Sequence, residues 1–322
     1  MSEYIIPPTY KIPSFDAFCH VLHRMKLKKH FSKFSKKTYD NYILIYFLFL
    51  KTKTNMSYRR ICEHIKELLL HRNLGIKRVP HFTTLQKLFS KLPSEIIRKC
   101  IQFISKSYLR NKPKIVAIDG TGISTKKVSQ HYLFRIKYQK YNISSKLSII
   151  SDVKTNLILD AISHSKNAHD NLDFLPLCEV LKKYKIKRLC ADRGYDSEDN
   201  FRFLFKNNID PQIPTRVFTK TKKSRGKFRN KSKKTFSEDK YHIRSNVEST
   251  FSALKRTLTG DLNDRIGENI IKSNLMKVFV YNSERIKRLK QIKKRILYLF
   301  LFFHEKVFYW AVLNRHVQWI NI

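Results

Sequence analysis

Residues 115–120 read Ile-Val-Ala-Ile-Asp-Gly, and residues 188–192 read Arg-Leu-Cys-Ala-Asp. Each is a short, continuously apolar run closed by a carboxylate. Such a run, bounded by turn residues, predicts a buried strand followed by a turn. Strand ends of open sheets are where sites are commonly built. Asp119 and Asp192 are therefore the first candidate functional residues.

Working outward, Tyr132–Lys137, Lys146–Val153 and Leu157–Ser163 are rich in Ile, Leu and aromatics and predict strands. Asp152–Asn156 forms the hairpin connection between the last two. Residues 171–184 return to helical period, 197–207 predict another helix, and Pro211–Pro214 a last short strand. Antiparallel strands followed by helix, strand, helix and strand give an α/β fold, a ribonuclease-H-like mixed sheet, over residues 111–290. The four aromatics Tyr132, Phe134, Tyr138 and Tyr141 read as sheet core, with stacking on a flipped base as the rival role.

Residues 1–110 predict an N-terminal all-α domain, with helices near 15–33, 37–51, 56–70, 82–91 and 93–109. Asn55 and Ser57 are placed to cap the third. Tyr58–Leu69 and Thr83–Phe89 fit the two helices of a helix-turn-helix, a pattern that any small bundle resembles. Lys220–Lys234 has no acid and almost no apolar residue, which predicts an extended basic loop within 216–237. A long helix follows from about Glu238 to Leu258, ended by Thr259-Gly260, and a second from about Ile270 to Lys294. Residues 291–322 form a C-terminal extension dense in large apolar residues, of unassigned role.

The chain has 322 residues, with 66 Lys+Arg against 25 Asp+Glu and a formal net charge of +41. Self-repulsion of that size favours a polyanionic partner, nucleic acid first and an anionic membrane surface second. A Lys-rich proteome accounts for part of the magnitude. The five cysteines are widely spaced, with none in C-x-x-C, so neither a disulfide framework nor a zinc site is expected, and a reducing, cytoplasmic setting fits. Tyr42–Leu50 is apolar but too short to span a bilayer. No signal peptide is read at the N-terminus.

A third carboxylate, Glu248, falls inside the predicted long helix. Three carboxylates from two strands and one helix can meet at one sheet edge. Hard divalent cations take such oxygen ligands, and a pair of them clamps both oxygens of a phosphoryl displacement. For any single acid, a surface ion pair is the simpler reading; for all three together, a metal site is favoured. Asp170, just before a predicted helix, reads as its N-cap, and His169 beside it as no ligand. Arg193 either contacts DNA or pairs with Asp196.

At this point the residues match a family pattern. Tyr241, Arg244, Glu248 and Lys255 stand in the Y-x2-R-x3-E-x6-K spacing of bacterial insertion-sequence transposases with a DDE domain. AIDGTGIS around Asp119 and ADRGYDS around Asp192 resemble the segments carrying the first and second catalytic Asp. The resemblance covers about residues 20–290. It implies a DNA transposase that cuts double-stranded DNA at terminal inverted repeats and joins the freed 3′-hydroxyls to target DNA. It further implies Mg²⁺, with Mn²⁺ as substitute, in two ions held by Asp119, Asp192 and Glu248, and a homodimer in the DNA complex without membrane involvement. On a continuous helix the four signature residues share one face, so Tyr241, Arg244 and Lys255, with Arg193, are expected to contact DNA; the rival reading of that face is a salt-bridged helix surface with Glu248 paired to Arg244. A domesticated or decayed derivative that binds DNA without cutting it is the alternative.

Overall fold

In the computed structural model, residues 15–31, 37–110, 114–125, 144–216, 226–264 and 266–317 are described. Six helices come first: α1 (Phe15–Arg24), α2 (Asn41–Thr54), α3 (Tyr58–Glu67), α4 (Leu70–Asn73), α5 (Phe82–Lys91) and α6 (Ser94–Leu109). Helix α2 is apolar all round and is buried from Asn41 to Leu50, as a helix at the centre of a core must be. Asn55 ends it in the left-handed conformation, its N–H bonded to Lys51 and Thr52 carbonyls. Ser57 caps α3, its hydroxyl accepting from the Arg60 N–H at 3.2 Å. The pair foreseen as capping one helix is thus divided between two.

The chain then enters the sheet: β1 (Lys114–Ser124), β2 (Ser144–Asp152), β3 (Ile158–His164), α7 (Asn171–Cys178), β4 (Ile186–Ala191), α8 (Glu198–Lys206) and β5 (Asp210–Gln212). The sheet order is β3-β2-β1-β4-β5. Strands β1, β2 and β3 are antiparallel, while β4 lies parallel to β1 and β5 parallel to β4. This mixed five-stranded order is compatible with a ribonuclease-H-like fold. The foreseen strand Tyr132–Lys137 and its four aromatics lie outside the described residues.

Three expectations are corrected here. The apolar run 115–118 does not end at a turn, because β1 continues through Asp119 to Ser124, paired with β2 over its whole upper half. Antiparallel pairing overrides the local turn signal of Gly120 and Gly122. Nor is the basic stretch extended throughout, since α9 (Lys227–Thr235) is helical. The helix foreseen from Glu238 to Leu258 is broken into α10 (Glu238–Tyr241), a 3₁₀ turn at His242–Arg244, and α11 (Ser245–Leu258).

The last helix, α12, is Gly267–Val317. The chain forms two compact units, Met1–Ser283 and Glu284–Ile322. In the second, the backbone is helical through Val317. In the first, one apolar cluster joins the early helices, the sheet and α12: Phe18, Phe49 and Phe279 meet with centroid spacings of 5.3–5.9 Å. The buried Asn282 amide covers the edge of β3. Its oxygen accepts the Ile158 N–H at 3.0 Å, and its nitrogen donates to the Ile158 carbonyl at 2.7 Å. The backbone groups of Ile158, at the start of this edge strand, are thereby satisfied. The five cysteines are free, and Cys100, Cys178 and Cys190 are buried. No described helix is long and apolar enough to cross a membrane.

Candidate active site

Strand β4 stops at Ala191, opposite Ile118, while β1 runs on. Asp119 is therefore the first β1 residue beyond its parallel neighbour, and Asp192 is the first residue after β4. The two backbones bring both acids to the same end of the sheet. Asp119 Oδ1 accepts the N–H of Gly120 at 2.8 Å. Asp192 Oδ1 accepts the N–H of Gly194 at 2.7 Å and so opens the short 3₁₀ turn Arg193–Tyr195.

Helix α11 supplies the third acid. Val247, Phe251, Leu254 and Leu258 are buried, a spacing of 4, 3 and 4 residues that forms one apolar stripe. That stripe fixes the rotation of the helix, and it leaves the neighbouring Arg244–Glu248–Lys255 line alongside β1. Arg244 donates from Nη1 to Asp119 Oδ2 at 3.3 Å and from Nη2 to Glu248 Oε1 at 2.5 Å. Lys255 Nζ donates to Thr121 Oγ1 at 2.7 Å. Two cations of the signature thus reach β1 two residues apart, and Arg244 links the first acid to the third. Tyr241 precedes the helix break; its ring lies 5.9 Å from the Arg244 guanidinium and 5.6 Å from the Phe236 ring.

Asp170 joins this group and was not expected to. It does not cap α7: its backbone is already helical and its side chain makes no cap bond. Its carboxylate pairs with the buried Lys146 at 2.7 Å and packs into space that two glycines leave open. A Cβ on Gly120 would stand 2.9 Å from Asp170 Oδ1. One on Gly194 would stand 2.8 Å from Asp192 Oδ1 and 3.4 Å from Asp170 Oδ2. Lys146 also donates to the Ala168 carbonyl at 2.7 Å and lies 3.8 Å from Asp173. The signal that could have found Asp170 is the D-R-G run itself, since glycine after Asp192 leaves room for a second carboxylate.

Asp119 is pushed up to about 6, first by burial and then by Asp192 and Asp170, against the pull of the Gly120 N–H and Arg244. The Tyr195 hydroxyl is wholly buried and has no hydrogen-bond partner among the described residues. Burial and the field of Asp170, Asp119 and Asp192 drive its ionisation far above the usual phenol range.

Arg193 is exposed and does not pair with Asp196. Asp196 instead takes Arg229 at 2.7 Å, and the Arg193 carbonyl accepts from Arg216 Nε at 3.3 Å. His169 holds only the Asn171 N–H, at 3.3 Å.

Residues 110–282 match the family model of the transposase DDE domain. The chain belongs to that family. The match covers more than half of the chain and takes in all three acids of the site. No curated protein matches the chain. For this DDE-domain protein, membership implies a transposase-type function on DNA, in a family that generally uses divalent metal ions. Among the described residues, no three carboxylate, His or Cys side chains are assembled around a metal position. The donor set nevertheless fits hard cations, because every candidate donor is a carboxylate oxygen. Arg244, lying against Asp119 and Glu248, holds two of them by its own charge.

Proposed function

We propose that this chain is a DNA transposase that hydrolyses DNA at the ends of a mobile element and joins the resulting 3′-hydroxyls to target DNA. The observation that carries this reading is the arrangement at one sheet end: Asp119 on β1, Asp192 after β4, and Glu248 on α11 tied back to Asp119 through Arg244. Asp119 is half-buried and raised, and its one ion-pair contact, with Arg244, is long at 3.3 Å.

In this reading Asp119, Asp192 and Glu248 hold two Mg²⁺ ions, with Mn²⁺ as substitute. Bound divalent ions stabilise the attacking and leaving oxygens of an in-line displacement at phosphorus, which suits both hydrolysis and strand transfer. The protein's own residues orient the substrate. Arg244 and Lys255, spaced along β1, grip phosphates flanking the scissile bond. The exposed Arg193 reaches the same strand from the Asp192 side, and Tyr241 packs against the Arg244 guanidinium and restricts its swing. Asp170 and Lys146 set the charge and width of the floor. The helices of residues 15–109 bind the inverted repeats, with α5 presenting Gln86, Lys87, Ser90 and Lys91 outward from its buried Leu85, Leu88 and Phe89. The protein acts inside the cell as a homodimer that brings two element ends together.

A strand-transfer assay on DNA bearing the inverted repeats that flank the coding region, with Mg²⁺ or Mn²⁺, tests the reading. Joined products are expected from the unmodified chain and none from Asp119→Asn, Asp192→Asn or Glu248→Gln. Joining that persists in all three variants would sink it.

A further inference from the structure

From Arg216 to Ser237 the chain contains no acid, yet part of this stretch is an ordered helix. Helix α9 carries Lys227, Lys231, Lys233 and Lys234, all exposed. Lys227, Lys231 and Lys234 are spaced 4 and 3 apart and share one face, with Lys233 beside it. None of the four pairs with an acid among the described residues. Like charges at these spacings destabilise an isolated helix, so its order has to come from elsewhere.

It comes from the segment that carries the second acid. Glu198 accepts the first N–H groups of α9, from Phe228 at 2.9 Å and Arg229 at 3.0 Å. These are donors that a helix start otherwise leaves unsatisfied. The approach requires glycine at 226: φ there is +114°, and a Cβ would fall 2.2 Å from Glu198 Oε2. Arg229 pairs at 2.7 Å with Asp196, whose side chain is fully buried and also accepts the Arg216 N–H at 2.7 Å. Phe228 stacks on Phe205 at 6.1 Å. One side of α9 is thereby anchored by acids and aromatics just beyond Asp192, and the exposed surface carries four ammonium groups, of which that of Lys231 also lies 4.4 Å from the Phe205 ring centroid. A solvated basic loop would need none of these anchors.

We propose that the outer face of α9 is a docking surface for the phosphate backbone of duplex DNA, held beside the acid site by the Glu198 and Asp196 anchors. The inference rests on the transposase reading for the choice of DNA as the polyanion. The charge row, and its fixed attachment to the Asp192 segment, carry the rest. Each ammonium group that neutralises a phosphate releases condensed counterions, so the surface has a measurable salt signature.

The test measures binding of the full chain to a short mixed-sequence duplex by fluorescence anisotropy across a salt titration. Replacing Lys227, Lys231, Lys233 and Lys234 together by Gln is expected to make the slope of log affinity against log salt shallower by about 3.6, near 0.9 for each lost contact. Affinity at low salt should fall at least tenfold, and the melting temperature should not fall, because like-charge repulsion is relieved. The fourfold Lys→Arg variant should keep slope and affinity. A Lys→Gln variant with the slope and affinity of the unmodified chain overturns the α9 surface and leaves the transposase reading standing. Failure of the unmodified chain to bind duplex DNA at all overturns both.

Discussion

Two Asp–Arg pairs sit on the same sheet and behave differently. On β3, Asp160 is fully buried and takes Arg98 in a fork, Nε to Oδ1 at 2.8 Å and Nη2 to Oδ2 at 2.6 Å. Its Oδ1 also accepts the Ala161 N–H. On β1, Asp119 meets Arg244 through one 3.3 Å contact, and the same guanidinium is shared with an exposed Glu248. The first pair is closed, with both oxygens and the planar fork matched. The second is open: its carboxylate keeps bonding capacity and its cation has a second partner. A closed pair holds helix α6 to the sheet edge, whereas an open pair can exchange one cation for another. In the proposed reading, the open pair on β1 is the one that takes part in chemistry and the closed pair on β3 is structural.

The largest expected effect falls on the open pair. If Asp119 holds metal ions as proposed, Asp119→Asn should reduce cleavage by about a thousandfold or more, since it would remove one of the carboxylates that would hold them. In metal-free protein the same change should raise stability. The folded carboxyl ionises near 6, above its unfolded value of about 3.9. The folded state therefore binds more protons between those values, and stability falls as pH rises through that window. Above pH 7 the ionised group costs about 2–3 kcal/mol, which Asn removes. Thermal melts with chelator at pH 4 and pH 7.5 check this: the variant should gain at the higher pH and not at the lower. A variant that melts lower at pH 7.5 would mean that Asp119 is a closed structural acid like Asp160.

The closed pair should respond in the opposite way. Asp160→Asn leaves Arg98 uncompensated against a buried partner and should cost about 3 kcal/mol or more. Replacing the pair together, Asp160→Leu with Arg98→Met, should recover much of that loss, because an apolar pair of similar volume carries no desolvation penalty. Calorimetric binding of Mn²⁺ by the folded fraction should be unchanged in both. A specific loss of Mn²⁺ binding would dissolve the distinction between the two pairs.

Gly226→Ala comes next in size. The left-handed backbone and the blocked Glu198 approach should together cost about 2 kcal/mol. The loss should be confined to α9, seen as faster amide exchange over residues 227–235 with unchanged protection in β1 and β4. Loss of protection across the whole sheet would mean that α9 is part of the folding core.

How much of this was legible follows from where the stabilising partners lie. The strands around Asp119 and Asp192 could be read because their burial comes from their own continuous apolar runs. The Arg244–Glu248–Lys255 line could be read because its spacing is internal to one segment, even though the helix breaks at His242–Arg244. Helix α9 could not be read: Lys-Phe-Arg-Asn-Lys-Ser-Lys-Lys looks solvated, and its order depends on Glu198, Asp196 and Phe205, more than twenty residues upstream. Asp170 was read as an N-cap because the local sequence supports one. Its actual partner, Lys146, lies on β2, and the room it occupies is made by glycines on two other segments. The extension of β1 past Asp119 was hidden for the same reason, since the turn signal of Gly120 is local and the pairing with β2 is not.

The smallest stability effect is also the most discriminating. Glu248 is the second, exposed partner of the open pair's cation, 57 % accessible, and it is joined to Arg244 at i,i+4 on a helix surface. Exposed pairs of this kind contribute about 0.3–0.5 kcal/mol, so Glu248→Gln should leave the melting temperature within a degree or so of the unmodified chain. If its role were the surface ion pair, cleavage would change as little as stability does. If Glu248 is the third acid of the site, cleavage should fall by orders of magnitude while the fold is untouched. Stability and cleavage measured on one preparation separate the two outcomes, and the closed pair supplies the control, because Asp160→Asn should lose stability without that selective loss of chemistry per folded molecule.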